Sequence, residues 1–137
     1  MVTKLRLVKA IVRHNNEYLL LKKEKDEFFP ENIGRWECTG GLMKKGQTSR
    51  KRIIDKLKAE TGLDYKKIKK LPTLRMTSKD YDSKCDVYLI DVNLKEIQLS
   101  DEHSDYKWIK AEDVKNMDLV LYANLLLEFF NNPKKYF

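Results

Sequence analysis

The chain has 137 residues, enough for one hydrophobic core and too few for two, so a single domain over residues 1–137 is predicted. Its most apolar stretch, residues 119–130, is well short of the ~20 residues of a membrane span, and Lys and Arg interrupt the apolar residues at the amino terminus, unlike in a signal peptide. We therefore expect a cytoplasmic protein and no membrane partner.

The formal net charge of +7 is concentrated in three basic segments, at residues 44–45, 50–52 and 66–70. Such clusters are typical of proteins that bind phosphate-rich partners, including nucleotides and RNA. A lysine-rich surface without any partner explains them equally well. Cys38 and Cys85 lack CxxC spacing, so both are expected to be reduced and partly buried, without a disulfide or a metal.

The first predicted elements form a β-hairpin. Lys4 to Arg13 and Tyr18 to Lys23 are apolar runs rich in β-branched residues, and residues 14–17 between them contain two asparagines, which tolerate the positive φ of hairpin turns. Residues 24–35 are polar and contain Pro and Gly, so they are expected to form an irregular surface loop.

A short strand and a helix are predicted next. The strand covers residues 36–38, and Gly40-Gly41 after it is expected to form a turn where a side chain could not fit. The helix is predicted over Thr48 to Thr61, with Thr48 or Ser49 as its cap and Gly62 as the left-handed residue that ends it.

The last part of the chain is predicted to contain three strands and a final helix. The predicted elements are strands at residues 71–77 and 85–94 around a polar loop at 78–84, a strand at 106–109, a helical turn at 111–114, and a helix that Asp118 caps and that ends before Pro133. The final helix is apolar almost all round, which indicates either a wide contact with the sheet or a second subunit on its outer face, and hence a possible homodimer.

Three segments of the chain resemble the Nudix hydrolase family. Residues 34–41, GRWECTGG, resemble the family's G-x-W-E-x-P-G-G segment with Thr39 in place of Pro, and LSDEHSDYKWI at 99–109 is similar to its later acidic loop and strand. The Nudix box, G-x5-E-x7-R-E-U-x-E-E-x-G-U with U a bulky apolar residue, aligns from Gly41 to Leu63. The resemblance implies an α/β/α sandwich with a mixed sheet between the box helix and a C-terminal helix.

The family's box carries the glutamates that hold Mg2+ or Mn2+ for hydrolysis of nucleoside diphosphate derivatives, and this box has lost most of them. Gln47 replaces the first Glu, Asp55 the Arg, Lys56 the next Glu and Ala59 the first of the Glu pair, while Glu60 is retained. The glycine and apolar positions of the box persist. The alignment therefore predicts a retained scaffold whose metal site and catalysis are weakened or lost.

Two functional hypotheses follow from the resemblance. In the first, Glu60 and Glu102 hold one Mg2+ or Mn2+ and support weak hydrolysis, although a solvated helix residue paired with Lys56 is the better explanation of Glu60. In the second, the chain is a non-catalytic nucleotide- or RNA-binding module, without metal, in which the Lys56 ammonium replaces part of the cation's charge.

The remaining candidate residues concern substrate binding. Gly40, Gly41, Arg52 and Lys56 are predicted to contact substrate phosphates, and Tyr81, placed in the polar loop, to stack on the base. His103 is expected to be a surface or capping residue. The sequence leaves open which nucleotide or leaving group would bind.

Overall fold

The computed structural model describes residues 2–137, which form a mixed sheet with helices on both faces. The strands are β1 (Thr3–His14), β2 (Glu17–Lys23), β3 (Trp36–Glu37), β4 (Gly40–Leu42), β5 (Lys67–Lys70), β6 (Leu74–Thr77), β7 (Tyr81–Asp91) and β8 (His103–Ile109). The helices are α1 (Ser49–Thr61), α2 (Leu121–Phe130) and α3 (Pro133–Tyr136), with short 3-10 helices at Pro30–Asn32 and Ala111–Asn116. The predicted α/β class with a mixed sheet is confirmed.

Strand β1 lies at the centre of the sheet. It pairs in parallel with β7 and antiparallel with β2 and β4, and the order of the main sheet is β3-β2-β1-β7-β5. Because successive strand residues face opposite sides, Val8, Ala10 and Val12 pack in the core with α1, whereas Leu7 and Ile11 pack in the core with α2. Both faces of the sheet are therefore covered.

The predicted hairpin and box helix are confirmed. Asn15 adopts a φ of 55° in the two-residue turn between β1 and β2. Helix α1 begins after Thr48, whose hydroxyl accepts a hydrogen bond from the Lys51 N–H at 3.1 Å, and it ends at Gly62 with a φ of 76°. The cap and the left-handed residue thus lie where their residue types predict them.

The prediction of a turn at Gly40-Gly41 was wrong, because Gly40 is extended and begins β4. A Cβ atom at Gly40 would collide with the carbonyl oxygen of Val8. Glycine is needed there for the close approach of β4 to β1, and it also has a φ of 137°.

One strand extends into a segment that was predicted to be a loop, and another forms where no element was predicted. Residues 81–84 were assigned to a polar loop but belong to β7, where they pair with the beginning of β1 from Thr3 onwards. The basic run 66–70 contributes β5, which among the described strands pairs only with β7 and exposes all three of its lysines. An edge strand tolerates such charges because one side of it faces water, and RNA binding by these lysines stays a prediction.

The final helix is shorter than predicted, and Asp118 does not cap it. Helix α2 begins at Leu121, while the Asp118 carboxylate lies 3.6 Å from Arg35 and its carbonyl oxygen accepts from the Trp36 N–H at 2.8 Å. The helix packs on the sheet through Ala123, Leu126, Phe129 and Phe130. A second subunit on its outer face stays a prediction.

Within residues 2–137, no helix has the length and apolar character needed to cross a bilayer.

Candidate functional site

Glu60, near the end of α1, is buried and held by three neighbouring segments. Its side chain is 5% exposed, and Oε1 accepts hydrogen bonds from the Thr39 hydroxyl at 2.5 Å and the Gly40 N–H at 3.0 Å. Its Oε2 lies 3.7 Å from Lys56 Nζ and 3.7 Å from His103 Nδ1. The reading of Glu60 as a solvated helix residue was therefore wrong, because β4 packs against this turn of the helix.

A groove of about 500 Å³ lies beside Glu60. We call it the charged groove, and three lysines and six carboxylates line it: Lys23, Lys25, Lys56, Glu24, Asp26, Glu27, Glu37, Glu60 and Glu102. Gly40 and Gly41 also line it. Lys56 crosses over Gly41, with its Cε 3.3 Å from where a Cβ on that glycine would lie, and its side chain is 21% exposed. The fold thus brings together the predicted residues Gly40, Gly41, Lys56, Glu60 and Glu102.

Three further box residues lie outside the charged groove. Arg52 was predicted to bind phosphate, but its Nε donates to the Leu42 carbonyl oxygen at 2.9 Å. Gln47 and Asp55 still face each other, with Gln47 Nε2 donating to Asp55 Oδ2 at 3.4 Å, and Lys51 pairs with the same carboxylate at 2.6 Å. Positions 47 and 55 are therefore in contact with each other, and neither side chain lines the groove.

A second cavity, of about 340 Å³, adjoins the charged groove and shares Lys23, Gly40 and Gly41 with it. We call it the aromatic cavity, and its apolar wall includes Leu5, Leu7, Phe28, Phe29, Tyr81 and Tyr122. Tyr81 meets Phe29 edge to face, with their ring centroids 5.8 Å apart. The predicted stacking residue therefore lies at the site, although it projects from strand β7 and not from a loop.

A buried ion pair forms the polar floor between the two spaces. Lys9 Nζ donates to Glu37 Oε1 at 2.8 Å and to the Cys38 carbonyl oxygen at 3.2 Å, and His103 Nε2 donates to Glu37 Oε2 at 2.8 Å. The side chains of Lys9, Glu37 and His103 are 8%, 5% and 2% exposed. His103 is thus a buried residue of β8, and its expected surface role was wrong.

The protonation of this floor follows from its contacts. Burial alone would raise the pKa of the Glu37 carboxyl, but the Lys9 ammonium and the His103 hydrogen bond outweigh burial and hold that pKa at about 2. Burial would likewise lower the pKa of Lys9, and the Glu37 carboxylate raises it above its ordinary value instead. Both groups are therefore charged at neutral pH.

Sequence reasoning missed Lys9, Glu37 and His103 as members of the site. Lys9 carried a usable signal, because it interrupts the apolar residues Leu7 and Ile11 on one face of β1. A lysine at such a position requires a buried partner. Glu37 carried a signal too, since it matches the Glu of the G-x-W-E-x-P-G-G segment, whereas His103 carried none, because its strand is polar and its burial depends on pairing with β2.

Comparison with known proteins identifies the fold. A MutT protein from Methanosarcina mazei Go1 superposes with a TM-score of 0.82 at 22% identity, over 98% of this chain and 97% of that one. The NUDIX domain of Shewanella oneidensis NrtR, solved in complex with ADP ribose, gives 0.79 at 22% identity over 98% and 90%. The chain has the Nudix fold.

Two further relatives carry the same resemblance to Nudix hydrolases. The nucleoside triphosphatase NudI of Escherichia coli O17:K52:H18, strain UMN026, is 24% identical over 125 residues, which cover 82% of this chain and 86% of that protein. A Caenorhabditis elegans Ap4A hydrolase, solved as a binary complex, has a TM-score of 0.73 at 19% identity over 96% of this chain and 98% of that one. No protein-family model matches the chain.

The box helix directs one carboxylate, Glu60, into the groove, which is a poor fit for the divalent cation that the resemblance implies. Mg2+ prefers several oxygen ligands in an octahedral arrangement. Across residues 2–137, no group of three or more His, Cys, Asp or Glu side chains is arranged to hold a metal ion. Of the two candidate ligands, Glu60 accepts from Thr39 and Gly40 through Oε1, its Oε2 faces the Lys56 ammonium at 3.7 Å, and Glu102 is exposed in the same groove.

Proposed function

We propose that this protein binds a nucleoside diphosphate derivative in the charged groove and the adjoining aromatic cavity, with the Lys56 ammonium serving the phosphates in place of a metal ion. One observation carries the proposal: Lys56 Nζ lies 3.7 Å from Glu60, the one box glutamate that remains, and lines the groove with it. Hydrolytic activity is accordingly weak or absent.

The chemistry of the groove supports phosphate binding without metal. An ammonium group is a compact cation with three N–H donors, and charge-assisted hydrogen bonds to phosphate oxygens are among the strongest in proteins. Lys56 pairs with Glu60 at 3.7 Å, beyond hydrogen-bond distance, so its donors remain available to a ligand. Lys23 and Lys25 add two further cations along the same wall.

The fold relatives support the ligand class. The NUDIX domain of NrtR was solved with ADP ribose, and the Caenorhabditis elegans protein is named an Ap4A hydrolase. ADP-ribose joins a nucleoside diphosphate to a second group, so a ligand of that shape is a reasonable probe for this chain. The aromatic cavity lies next to the charged groove and offers apolar walls for its base.

A weak hydrolase is the second candidate, because Glu60 and Glu102 line the same groove. The two carboxylates would then hold one Mg2+ or Mn2+ whose other ligands are water and substrate phosphate. Removal of a general base or a metal ligand typically costs ~10^2 to 10^4 in rate, so any activity would be low compared with that of an intact box.

Binding in the presence of EDTA tests the first candidate. Isothermal titration of the wild type with ADP-ribose, IDP and UDP should show binding without metal, and Lys56→Met should weaken it by about tenfold, as expected for a lost charge-assisted hydrogen bond. Lys51→Met is the matched control, since Lys51 is an exposed lysine of the same helix that pairs with Asp55. The proposal fails when none of the nucleotides binds to the wild type.

Turnover separates the two candidates. Phosphate release from a panel of nucleoside diphosphate derivatives is measured with Mg2+ and with Mn2+ for the wild type, Glu60→Gln and Glu102→Gln. Turnover that either substitution abolishes supports the hydrolase. Binding in EDTA without turnover supports the binding module.

A further inference from the structure

We propose that the aromatic cavity selects bases that carry a ring carbonyl, such as hypoxanthine and uracil, over their amino counterparts, and that the Lys9 and Lys23 ammonium groups make this selection. The inference rests on the proposed function, because it assigns the base of the nucleotide whose phosphates occupy the charged groove. It names the substrate class of that site and gives Lys9 a role in specificity.

Two ammonium groups converge at the polar end of the aromatic cavity. Lys9 and Lys23 both line it, and their Nζ atoms lie 2.8 Å and 3.7 Å from the same Glu37 oxygen, Oε1. Lys9 projects from the centre of β1 and Lys23 from the end of β2, so the sheet itself sets their spacing.

Each ammonium retains a donor for a ligand. A lysine ammonium carries three N–H groups. Lys9 uses two of them, on Glu37 Oε1 and on the Cys38 carbonyl oxygen. Lys23 lies 2.9 Å from Asp26 Oδ2, its nearest carboxylate partner. A ligand in the cavity therefore meets positive donors at this end.

The carboxylate oxygens beside these lysines already accept hydrogen bonds from donors of the protein. Glu37 Oε1 accepts from Lys9, and its Oε2 accepts from His103. Asp26 Oδ1 accepts from the backbone N–H groups of Phe28 and Phe29, and its Oδ2 faces Lys23. An amino group placed against them would compete with these donors for the remaining lone pairs and would face the two ammonium groups.

The side-chain oxygen of Asn32 complements this arrangement. Asn32 lines the cavity and is 8% exposed, and its Nδ2 points to Asp26 Oδ2 at 3.4 Å. With the nitrogen engaged, the amide oxygen can accept the ring N–H that lies next to the carbonyl in hypoxanthine and uracil.

A ring carbonyl satisfies two donors, whereas an exocyclic amine satisfies neither. The carbonyl oxygen has two lone pairs and can accept from both ammonium groups, but the amine of adenine or cytosine is itself a donor. The wall formed by Leu5, Leu7, Phe29 and Tyr81 favours a flat, apolar ring around that oxygen. A phosphate oxygen has the same acceptor chemistry, so the test must distinguish a base from a phosphate.

The test uses two matched pairs of nucleotides, IDP against ADP and UDP against CDP. The first member of each pair has a carbonyl beside a ring N–H, and the second has an amine beside an unprotonated ring nitrogen. Titration of the wild type in EDTA should give a Kd about tenfold lower for IDP than for ADP, and lower for UDP than for CDP. Equal affinities within each pair would overturn the inference and leave the proposed function standing. Absence of binding for all four would overturn the inference, and absence of binding for ADP-ribose as well would also overturn the proposed function.

A double variant and a phosphate probe assign the effect to the lysines. Lys9→Met/Glu37→Gln removes the ammonium without leaving a buried charge unpaired, and it should bring the ADP-to-IDP ratio of Kd values close to one. Lys134→Met, an exposed lysine outside both cavities, should leave the ratio at its wild-type value. Titration with pyrophosphate is the last arm: a loss of pyrophosphate binding in the double variant, with the ratio unchanged, would assign Lys9 to phosphate and refute the inference.

Discussion

Replacing Lys9 by methionine should destabilise the protein far more than a surface lysine would. The substitution keeps the length of the side chain and removes the ammonium that lies 2.8 Å from Glu37 Oε1, with both side chains below 9% exposure. Breaking a buried ion pair at one partner typically costs ~3 to 5 kcal/mol, because the other charge stays buried without compensation. Glu37 retains the His103 hydrogen bond and Lys23 at 3.7 Å, so we expect the lower end, about 3 kcal/mol.

The expected loss is large enough to measure by two methods. At ~2.1 cal/mol/K per residue, a chain of 137 residues has an unfolding entropy near 0.3 kcal/mol/K, so about 3 kcal/mol lowers the Tm by about 10 °C. Urea unfolding followed by circular dichroism at pH 7 gives the same quantity as a free energy of unfolding.

A double-mutant cycle shows whether the loss comes from the pair. Lys9→Met/Glu37→Gln should recover more than half of the stability lost in Lys9→Met, since no uncompensated charge remains. Lys51→Met/Asp55→Asn is the matched control, because that lysine–carboxylate pair is as short, 2.6 Å, but lies at the surface, and its removal should not shift the Tm measurably. The reasoning is refuted when Lys9→Met costs under 1 kcal/mol or when the double variant is less stable than Lys9→Met.

Three further outcomes are expected. The pKa of Glu37 is about 2 in the folded protein against an ordinary 4.5. This carboxyl therefore stabilises the fold above pH 4.5 and loses that contribution as the pH falls towards 2. Over this pH window, the free energy of unfolding should fall by about 3 kcal/mol more in the wild type than in Glu37→Gln. Gly40→Ala should cost at least ~3 kcal/mol in thermal unfolding because of the collision with Val8, whereas Gly46→Ala, with a φ of 84° and no atom within 4 Å, should cost only about 1 kcal/mol. Thr39→Val removes the 2.5 Å hydrogen bond to the buried Glu60 carboxylate and should lower the free energy of unfolding in urea by ~1 to 3 kcal/mol, and a loss below 0.5 kcal/mol would contradict the buried geometry of Glu60.

Much of the local structure could be predicted because the responsible residues act on their own neighbours. Asn15 adopts the positive φ of the first hairpin turn, Thr48 caps α1, and Gly62 ends it, each through an interaction within four residues along the chain. Strand positions that depend on a distant partner were predicted less well. Residues 81–84 are too polar to indicate a strand, and they form one because β1 pairs with them.

The residues of the candidate site show the same difference between local interactions, which could be predicted, and interactions with distant strands, which could not. The box alignment identified Lys56 and Glu60 from spacing along one helix, and the fold does place them together. It could not show that Glu60 is buried, since that depends on Thr39 and Gly40 from another strand. Arg52 shares the helix face of Lys56 in the sequence pattern, yet its guanidinium turns to the Leu42 carbonyl oxygen, a contact that the helical period cannot predict.

The sequence by itself determined the order of the elements, the ends of α1, the family resemblance and the replacement of the box carboxylates, because these depend on residue type and on spacing along the chain. The tertiary structure alone decided that Lys9, Glu37 and His103 meet beneath the groove, since three strands far apart in sequence must pair before these side chains come within hydrogen-bond distance. It also decided that an aromatic cavity adjoins the charged groove, because the wall of that cavity combines β1, β7 and the segment after β2. Pairing between distant strands buries charge that local patterns place at the surface, and it is this buried charge that gives the site its proposed selectivity.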